Sequence, residues 1–349
     1  MSINMVALSK SHPSVSFIIP TLNSAKVLKV CLKSIRSQNY PQSQISILII
    51  DGGSTDSTLN IANKYNCKIL KNPKKTGEAG KAIGIKHASG QYLALIDSDN
   101  ILPDKNWLIQ MISPLLKHPK VIGSEPWSYT YRPQAGFIER YSALTGVNDP
   151  YCLIAKNYDR LGYLNPSWTA QKISIKNFRN YQIATLPSNQ LLPTIGANGT
   201  IYKASFIKKY LKSDYFFDID LISKVLSNTK QPLFFSKVKI GIIHTFCESS
   251  ISKFYKKQIR RATDLYIYQP LRQYSLTQNH LIPTIKFTLY VLLIFPMLFD
   301  TIKGYFKKSD PAWFFHPLAC LITFYTYSFV TIKYKVGILK PLNRIQWQQ

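Results

Sequence analysis

The chain is expected to fold as an α/β domain built on a largely parallel sheet, followed by a helical, membrane-associated C-terminal region. Two observations carry this expectation. Apolar runs of strand length alternate with stretches of helical periodicity through the first hundred residues, and two longer apolar runs follow residue 286.

The elements follow in order. Val15–Ile19 is a short apolar run that Pro20 breaks and Asn23 closes, which reads as a buried strand entering a loop. Ala25 to Ser37 places Val27, Leu28, Leu32 and Ile35 near helical spacing. Ile45–Ile50 is a second buried strand, and it runs into Asp51-Gly52-Gly53-Ser54-Thr55-Asp56. There the glycines permit a tight turn and Ser54 or Asp56 can cap the next helix. A third short strand is expected at Cys67–Leu70 and a fourth at Tyr92–Ile96. Strands that alternate with helices gather their loops at the carboxyl ends of a parallel sheet. Three polar loops, at Pro20–Asn23, Asp51–Asp56 and Asp97–Asp99, therefore share one edge.

The fourth strand ends in Asp97-Ser98-Asp99. Two carboxylates one residue apart at a strand end can hold a divalent cation against a diphosphate, since hard cations take oxygen ligands. Such a triplet alone is also common in solvated turns, and its place after two further polar strand ends gives it weight.

Taken together, Ile19-Pro20-Thr21-Leu22-Asn23, Asp51-Gly52-Gly53-Ser54-Thr55-Asp56-Ser57-Thr58 and the aspartate triplet resemble the N-terminal half of a family 2 glycosyltransferase, with matching motifs from about Val15 to His244. The resemblance implies the GT-A fold, a mixed sheet with helices on both faces. It also implies an inverting transfer from a nucleotide sugar, here expected to be a UDP-sugar, with Mn²⁺ or Mg²⁺. By the same resemblance Pro20, Thr21 and Asn23 line the nucleoside pocket and Asp51 accepts from the base, with Ser54 beside it. Lys81 lies near the donor. Asp97 and Ser98 belong to the ribose and metal region, and Asp99 is the more direct metal ligand. The chain departs from the family pattern at Ser24, Gly52 and Ile83, where Glu, Asp and Asn are common.

The second half is expected to bind the acceptor. Gly196-Ala197-Asn198-Gly199 resembles the family's acceptor-side segment, in which Gly196, Asn198 and Gly199 approach the ligand. In Phe217-Asp218-Ile219-Asp220-Leu221 the family pattern aligns Asp218 with the catalytic base, and Phe217 replaces the usual first acid. His244 follows the apolar stretch Val238–Ile243, and the resemblance lets it reach the metal or the diphosphate. Gln258 and Arg261 share the spacing of the Q-x-x-R-W motif of processive relatives, with Ala262 in place of Trp.

Forty-four Lys and Arg against seventeen Asp and Glu give a formal charge of +27, which favours anionic partners. Lys253, Lys256, Lys257, Arg260 and Arg261 fall on one face of a helix, as an anionic membrane surface would require. No nucleic-acid motif accompanies the charge, and no nucleic-acid partner is expected. Phe287–Phe299 is too short for a straight span, whereas Ala312–Ile332 is long enough. Lysines on both sides of each favour a monotopic or re-entrant arrangement at the cell membrane, with the catalytic domain facing the cytoplasm. Met1-Ser2-Ile3-Asn4 shows no secretory signal, and five scattered cysteines suit a reducing compartment.

The expected organisation is a tail over 1–14, a catalytic domain over 15–250 (donor half 15–100, acceptor half 101–250), a basic interface helix over 251–280 and a hydrophobic region over 281–349. The expected activity is transfer to a lipid-linked or cell-surface glycan acceptor. The alternative is a catalytically silent scaffold that binds nucleotide sugar or anionic lipid.

Overall fold

In the computed structural model, residues 12–188, 192–196, 198–272 and 281–344 are described. Parts of the expected tail (1–11), of the expected interface helix (273–280) and of the C-terminus (345–349) lie outside them.

Along the chain the elements are β1 (Val15–Thr21), α1 (Ala25–Arg36), β2 (Ile45–Asp51), α2 (Thr58–Lys64), β3 (Lys68–Lys71), α3 (Gly77–His87), β4 (Tyr92–Leu95), β5 (Asn100–Ile101), α4 (Trp107–Lys117) and β6 (Val121–Tyr129). Next come α5 (Phe137–Thr145), α6 (Pro150–Ile154), β7 (Ser174–Asn177), β8 (Tyr181–Leu186), β9 (Thr200–Lys203), α7 (Ala204–Tyr210), α8 (Asp218–Thr229) and β10 (Leu233–His244). Among the described residues α9 (Ile251–Ile267), α10 (Leu281–Leu292), α11 (Phe295–Lys307) and α12 (His316–Lys335) follow.

These elements form two compact units. The first comprises Met1–Glu125, Ala197–Phe216 and Phe234–Val238; the second comprises Pro126–Gly196, Phe217–Leu233 and Lys239–Gln349.

In the first unit β3, β2, β1 and β4 run parallel, and β9 continues the sheet antiparallel beside β4. The mixed α/β class expected from the sequence is thus the one present. β1 and β2 bury almost every residue, the mark of strands covered on both faces. Leu28, Cys31, Leu32 and Ile35 of α1 and Ala79, Ala82 and Ile85 of α3 supply part of that cover. The register decides where the polar loops meet. Thr21 pairs with Asp51 and Ile18 with Leu95, the last residue of β4, so the polar loops that follow leave the sheet at the same edge. Helix α3 comes unusually close to β1, because a Cβ at Gly84 would stand 2.3 Å from Ile18 Cγ2. That approach sets the height of Lys81, one turn earlier on the same helix.

The second unit pairs β7 with β8 antiparallel and packs its helices round an aromatic core. Tyr141, Phe254, Trp313 and Phe315 lie in that core beside Ile138, Leu144 and Cys247. The C-terminal helices are part of it. Trp313 is fully buried, and its indole Nε1 donates to the Lys308 carbonyl at 2.9 Å. The aromatic-rich stretch after Glu125 likewise fills cores, with Tyr141 and Trp168 buried.

Candidate functional site

The site in the first unit is assembled at the carboxyl ends of β1, β2 and β4. Asp51, the last residue of β2, is its hub. Its Oδ1 accepts from Thr21 Oγ1 at 2.9 Å and from Ser54 Oγ at 2.5 Å, and its Oδ2 accepts from the Gly53 and Ser54 amides at 2.8 Å each. A carboxylate offers about four such positions, and all four are used within the protein. Gly53 reaches its amide round with φ at +94°, a conformation that costs a glycine little.

A second set of bonds ties the β1 loop to the β2 loop. The Asn23 amide donates to Ser54 Oγ at 2.8 Å, and Asn23 Oδ1 accepts from the Thr55 amide at 2.9 Å. Asp56 serves two helices at once: Oδ2 accepts from Ala25 N at the start of α1, and Oδ1 accepts from Thr58 N and Oγ1 at the start of α2. Burial pushes its carboxyl up, but the bonds from Thr58 and Ala25 outweigh that and hold it below the ordinary value. The folded state therefore gains from ionised Asp56 at neutral pH, and the gain fades as pH falls through the acid range.

These bonds predict a measurable cost. Asp51→Ala strips the acceptors from two hydroxyls and two amides, and about 3 kcal/mol of stability should be lost. A downward shift of the urea midpoint would show it. An unmoved midpoint would mean that the loops hold their shape by other contacts.

Beyond β4, Asn100 closes the acidic turn: its Oδ1 accepts from the Asp97 amide at 3.0 Å, and its own amide donates to the Asp97 carbonyl at 2.9 Å. Ser98 Oγ donates to Ser24 Oγ at 3.2 Å. Lys81 is buried on α3, and its Nζ lies 2.9 Å from Asp97 Oδ1. Its charge is thus placed at the acidic turn rather than in solvent. Pro20 is half-buried beside it on β1, where a Cβ on Gly80 would touch its ring at 3.0 Å. Burial first, and then the charges of Asp99 and Asp97, push the Cys31 thiol up.

Among the described residues no three His, Cys, Asp or Glu side chains form a metal-binding group. Asp97 and Asp99 still suit a cation of the magnesium or manganese type. Such an ion takes one or two carboxylates and fills its remaining positions with phosphate oxygens and water.

Gly199, also in this unit, sits at φ +82° and donates its amide to the Leu95 carbonyl at 3.0 Å, with Asn198 half-buried before it.

In the second unit Gly196 is half-buried. Asp218 is the first residue of α8 and half-buried, while Asp220 is buried and engaged by Arg272, whose Nε and Nη2 each lie 3.1 Å from Asp220 Oδ2. His244 is buried at the end of β10 beside Tyr129 and Phe246. Its Nδ1 lies 3.2 Å from Asn148 Nδ2, which also donates to the Tyr129 hydroxyl at 2.9 Å.

Gln258 and Arg261 both donate to the Asn148 carbonyl, at 3.1 and 2.6 Å. The spaced pair on α9 thus fixes the backbone of the residue that orients His244. Lys257 donates to the Phe246 carbonyl at 2.9 Å, so this part of the basic helix points into its own unit. Asn100 and Asn148 gave no signal in the sequence, because an asparagine that serves a turn looks the same as one in solvent.

Residues 16–165 match the family model described as Glycosyl transferase family 2. Glycosyltransferase AglE of Haloferax volcanii is 32% identical over 146 residues, which is 40% of this chain and 48% of that protein. The dolichyl N-acetyl-alpha-D-glucosaminyl phosphate 3-beta-D-2,3-diacetamido-2,3-dideoxy-beta-D-glucuronosyltransferase of Methanococcus voltae is 35% identical over 101 residues, covering 27% of this chain and 31% of that protein. The chain therefore spans less than half the length of these relatives. A crystal structure of S. aureus TarS 1–349 aligns over 93% of this chain and 92% of that one, at 18% identity and a TM-score of 0.44.

Proposed function

We propose, from the match of residues 16–165 to the glycosyl transferase family 2 model, that the protein is an inverting glycosyltransferase that moves a sugar from a nucleotide-diphospho-sugar to a lipid-linked or cell-surface glycan acceptor. One observation carries the proposal. Three polar strand ends share one sheet edge, and the buried Lys81 ammonium sits 2.9 Å from a carboxylate of the acidic turn. A cation and paired carboxylates at the edge of a parallel sheet are what a nucleoside diphosphate and its metal ion need.

Each residue then has a part. Thr21, Asn23, Asp51 and Ser54 shape the nucleoside pocket with Pro20, and Lys81 offsets phosphate charge. Asp97 and Asp99 would hold a divalent ion, with Ser98 between them; the ion would stabilise the charge growing on the departing diphosphate. Gly196, Asn198 and Gly199 admit the acceptor. Asp218 takes the proton of the acceptor hydroxyl as its oxygen bonds to the anomeric carbon. The bond from that carbon to the diphosphate oxygen breaks, its electron pair leaves with the nucleotide, and the configuration inverts. His244 donates to the diphosphate or joins the metal's ligands. A UDP-sugar is the donor of choice in this reading. The name of the Methanococcus relative, which acts on a dolichyl-phosphate-linked sugar, supports a lipid-linked acceptor. An acceptor of that kind would be met at the cytoplasmic face of the cell membrane, where the excess of Lys and Arg favours an anionic surface.

The test is a panel of nucleotide sugars titrated into the protein with Mn²⁺, with Mg²⁺ and with EDTA. One donor should bind tightly only with metal, and Asp99→Asn should weaken that binding by at least ~10-fold, since a direct ligand is lost. Binding indifferent to both EDTA and Asp99→Asn would remove the metal role. If no donor bound under any condition, the scaffold reading would take its place.

A further inference from the structure

The C-terminal helices leave an apolar surface open at a sharp bend. We propose that α10 and α11 form a wedge that enters one leaflet of an anionic bilayer, with Leu293-Ile294-Phe295 deepest, and that neither they nor α12 cross the membrane. The proposal deepens the membrane-side reading of the enzyme and rests on it for its purpose.

The wedge comes from a break. α10 and α11 bend by 83° at Leu293 and Ile294, where Ile294 takes φ +59° and Pro296 opens the new helix. Proline cannot continue the preceding helix, and the residues before it leave helical geometry. The inner side of both arms packs within the second unit through Phe287, Val291, Met297, Thr301 and Gly304. The outer side and the tip are apolar and open. Leu292, Leu293, Ile294 and Phe295 are four consecutive residues between 55% and 82% exposed, and Leu289, Leu298, Phe299 and Ile302 continue the surface. A continuous apolar patch of this kind marks an interaction site.

Charge placement selects the partner and the depth. No charged residue occurs from Phe287 to Phe299; Asp300 follows, half-buried and bonded by the Tyr290 hydroxyl at 2.8 Å, while Lys286 eight residues before Ile294 and Lys303 nine after it are both exposed. At 1.5 Å per residue and with the bend shared equally, both lysines lie about 8–9 Å back from the tip. They would therefore reach the same level, that of the head groups, while the tip rests within one ~15 Å half of the hydrocarbon. A second copy of the chain would bring the same lysines against these, so anionic lipid is the complementary occupant.

α12 is long enough to span, but its other face holds it to its unit. Tyr327 donates to buried Asp149, Tyr266 of α9 bonds Thr331 at 2.8 Å, and the Tyr266 and Tyr334 rings stack at 4.3 Å. A crossing α12 would drag α9 with it, including Lys256, Lys257, Arg260, Arg261 and Asp264, into hydrocarbon.

The experiment uses the full chain added to preformed vesicles of phosphatidylcholine with phosphatidylglycerol. The protein should float with them and stay bound through a high-salt wash, and it should bind plain phosphatidylcholine vesicles more weakly. The double variant Leu293→Asp/Phe295→Asp should lose on the order of 100-fold in partitioning, with donor binding unchanged as a check on folding. Lys286→Cys and Lys307→Cys, with Cys67 and Cys152 changed to Ser, should both react with an impermeant maleimide from outside. If one of them reacted only after detergent, the segment would cross the bilayer and the proposal would fall. A lipid-free dimer that buries the tip would overturn it equally. Loss of donor binding in the unaltered protein would instead count against the enzyme reading and leave the flotation result standing.

Discussion

Asp218→Asn is expected to leave nucleotide-sugar binding intact while sugar transfer falls by about 10²–10⁴-fold. The two acids at the head of α8 are not equivalent. Asp220 is committed to Arg272, whose guanidinium also lies 4.9 Å from the Phe217 ring, so it fastens the start of the helix. Asp218 opens the helix and is half-buried, and a helix start favours a negative charge. A general base needs that charge, and an amide of the same shape cannot take the proton. Asp220→Asn provides the contrast: it should cost stability with little change in the chemical step. Single-turnover transfer and donor titration on the two variants separate these outcomes. Undiminished turnover in Asp218→Asn would end its assignment as the base.

The second large effect is on stability. Lys237 and Glu125 are both fully buried in the first unit, with Nζ 2.6 Å from Oε2. Removing one partner leaves the other charge in a medium that solvates it poorly, so Lys237→Met should cost about 3–5 kcal/mol. A fall in Tm on the order of 10 °C would follow. Lys237→Met combined with Glu125→Leu should recover most of the loss, because the pair's attraction does little more than offset its desolvation. A double variant no more stable than the single one would show that the pair is held by something other than its own charges.

The parts of the molecule that could be read from the sequence are those whose cause is local. β1, β2 and β4 announce themselves as apolar runs, and the residues that end them are polar because they leave the sheet. The helix starts near Ala25 and Asp218 are visible for the same reason. What could not be read depends on contacts distant along the chain. Lys81 looks like any lysine on a helix surface; its burial follows from the closeness of α3 to β1, which Gly84 permits through Ile18. Glu125 and Lys237 stand 112 positions apart and carry no mark of their pairing. Gln258 and Arg261 share the spacing of a processive motif that Ala262 leaves incomplete, and nothing in that spacing shows that in the fold they hold the Asn148 carbonyl. The apolar C-terminal stretches read as a separate layer, yet Trp313 and Phe315 belong to the same core as Tyr141 and Phe254. Periodicity tells which side of a helix is apolar, and only packing tells what covers it.

The completeness of the bonds round Asp51 has a thermodynamic consequence. Thr21, Gly53 and Ser54 are already satisfied, so the entropy lost in ordering the two loops is given up once, when the chain folds, and not again at each encounter with a donor. Under the proposed donor role, affinity for the nucleotide and stability of the sheet edge are thermodynamically linked. Substitutions that loosen the edge would weaken binding without touching any ligand atom, and a bound donor would protect the same edge from opening.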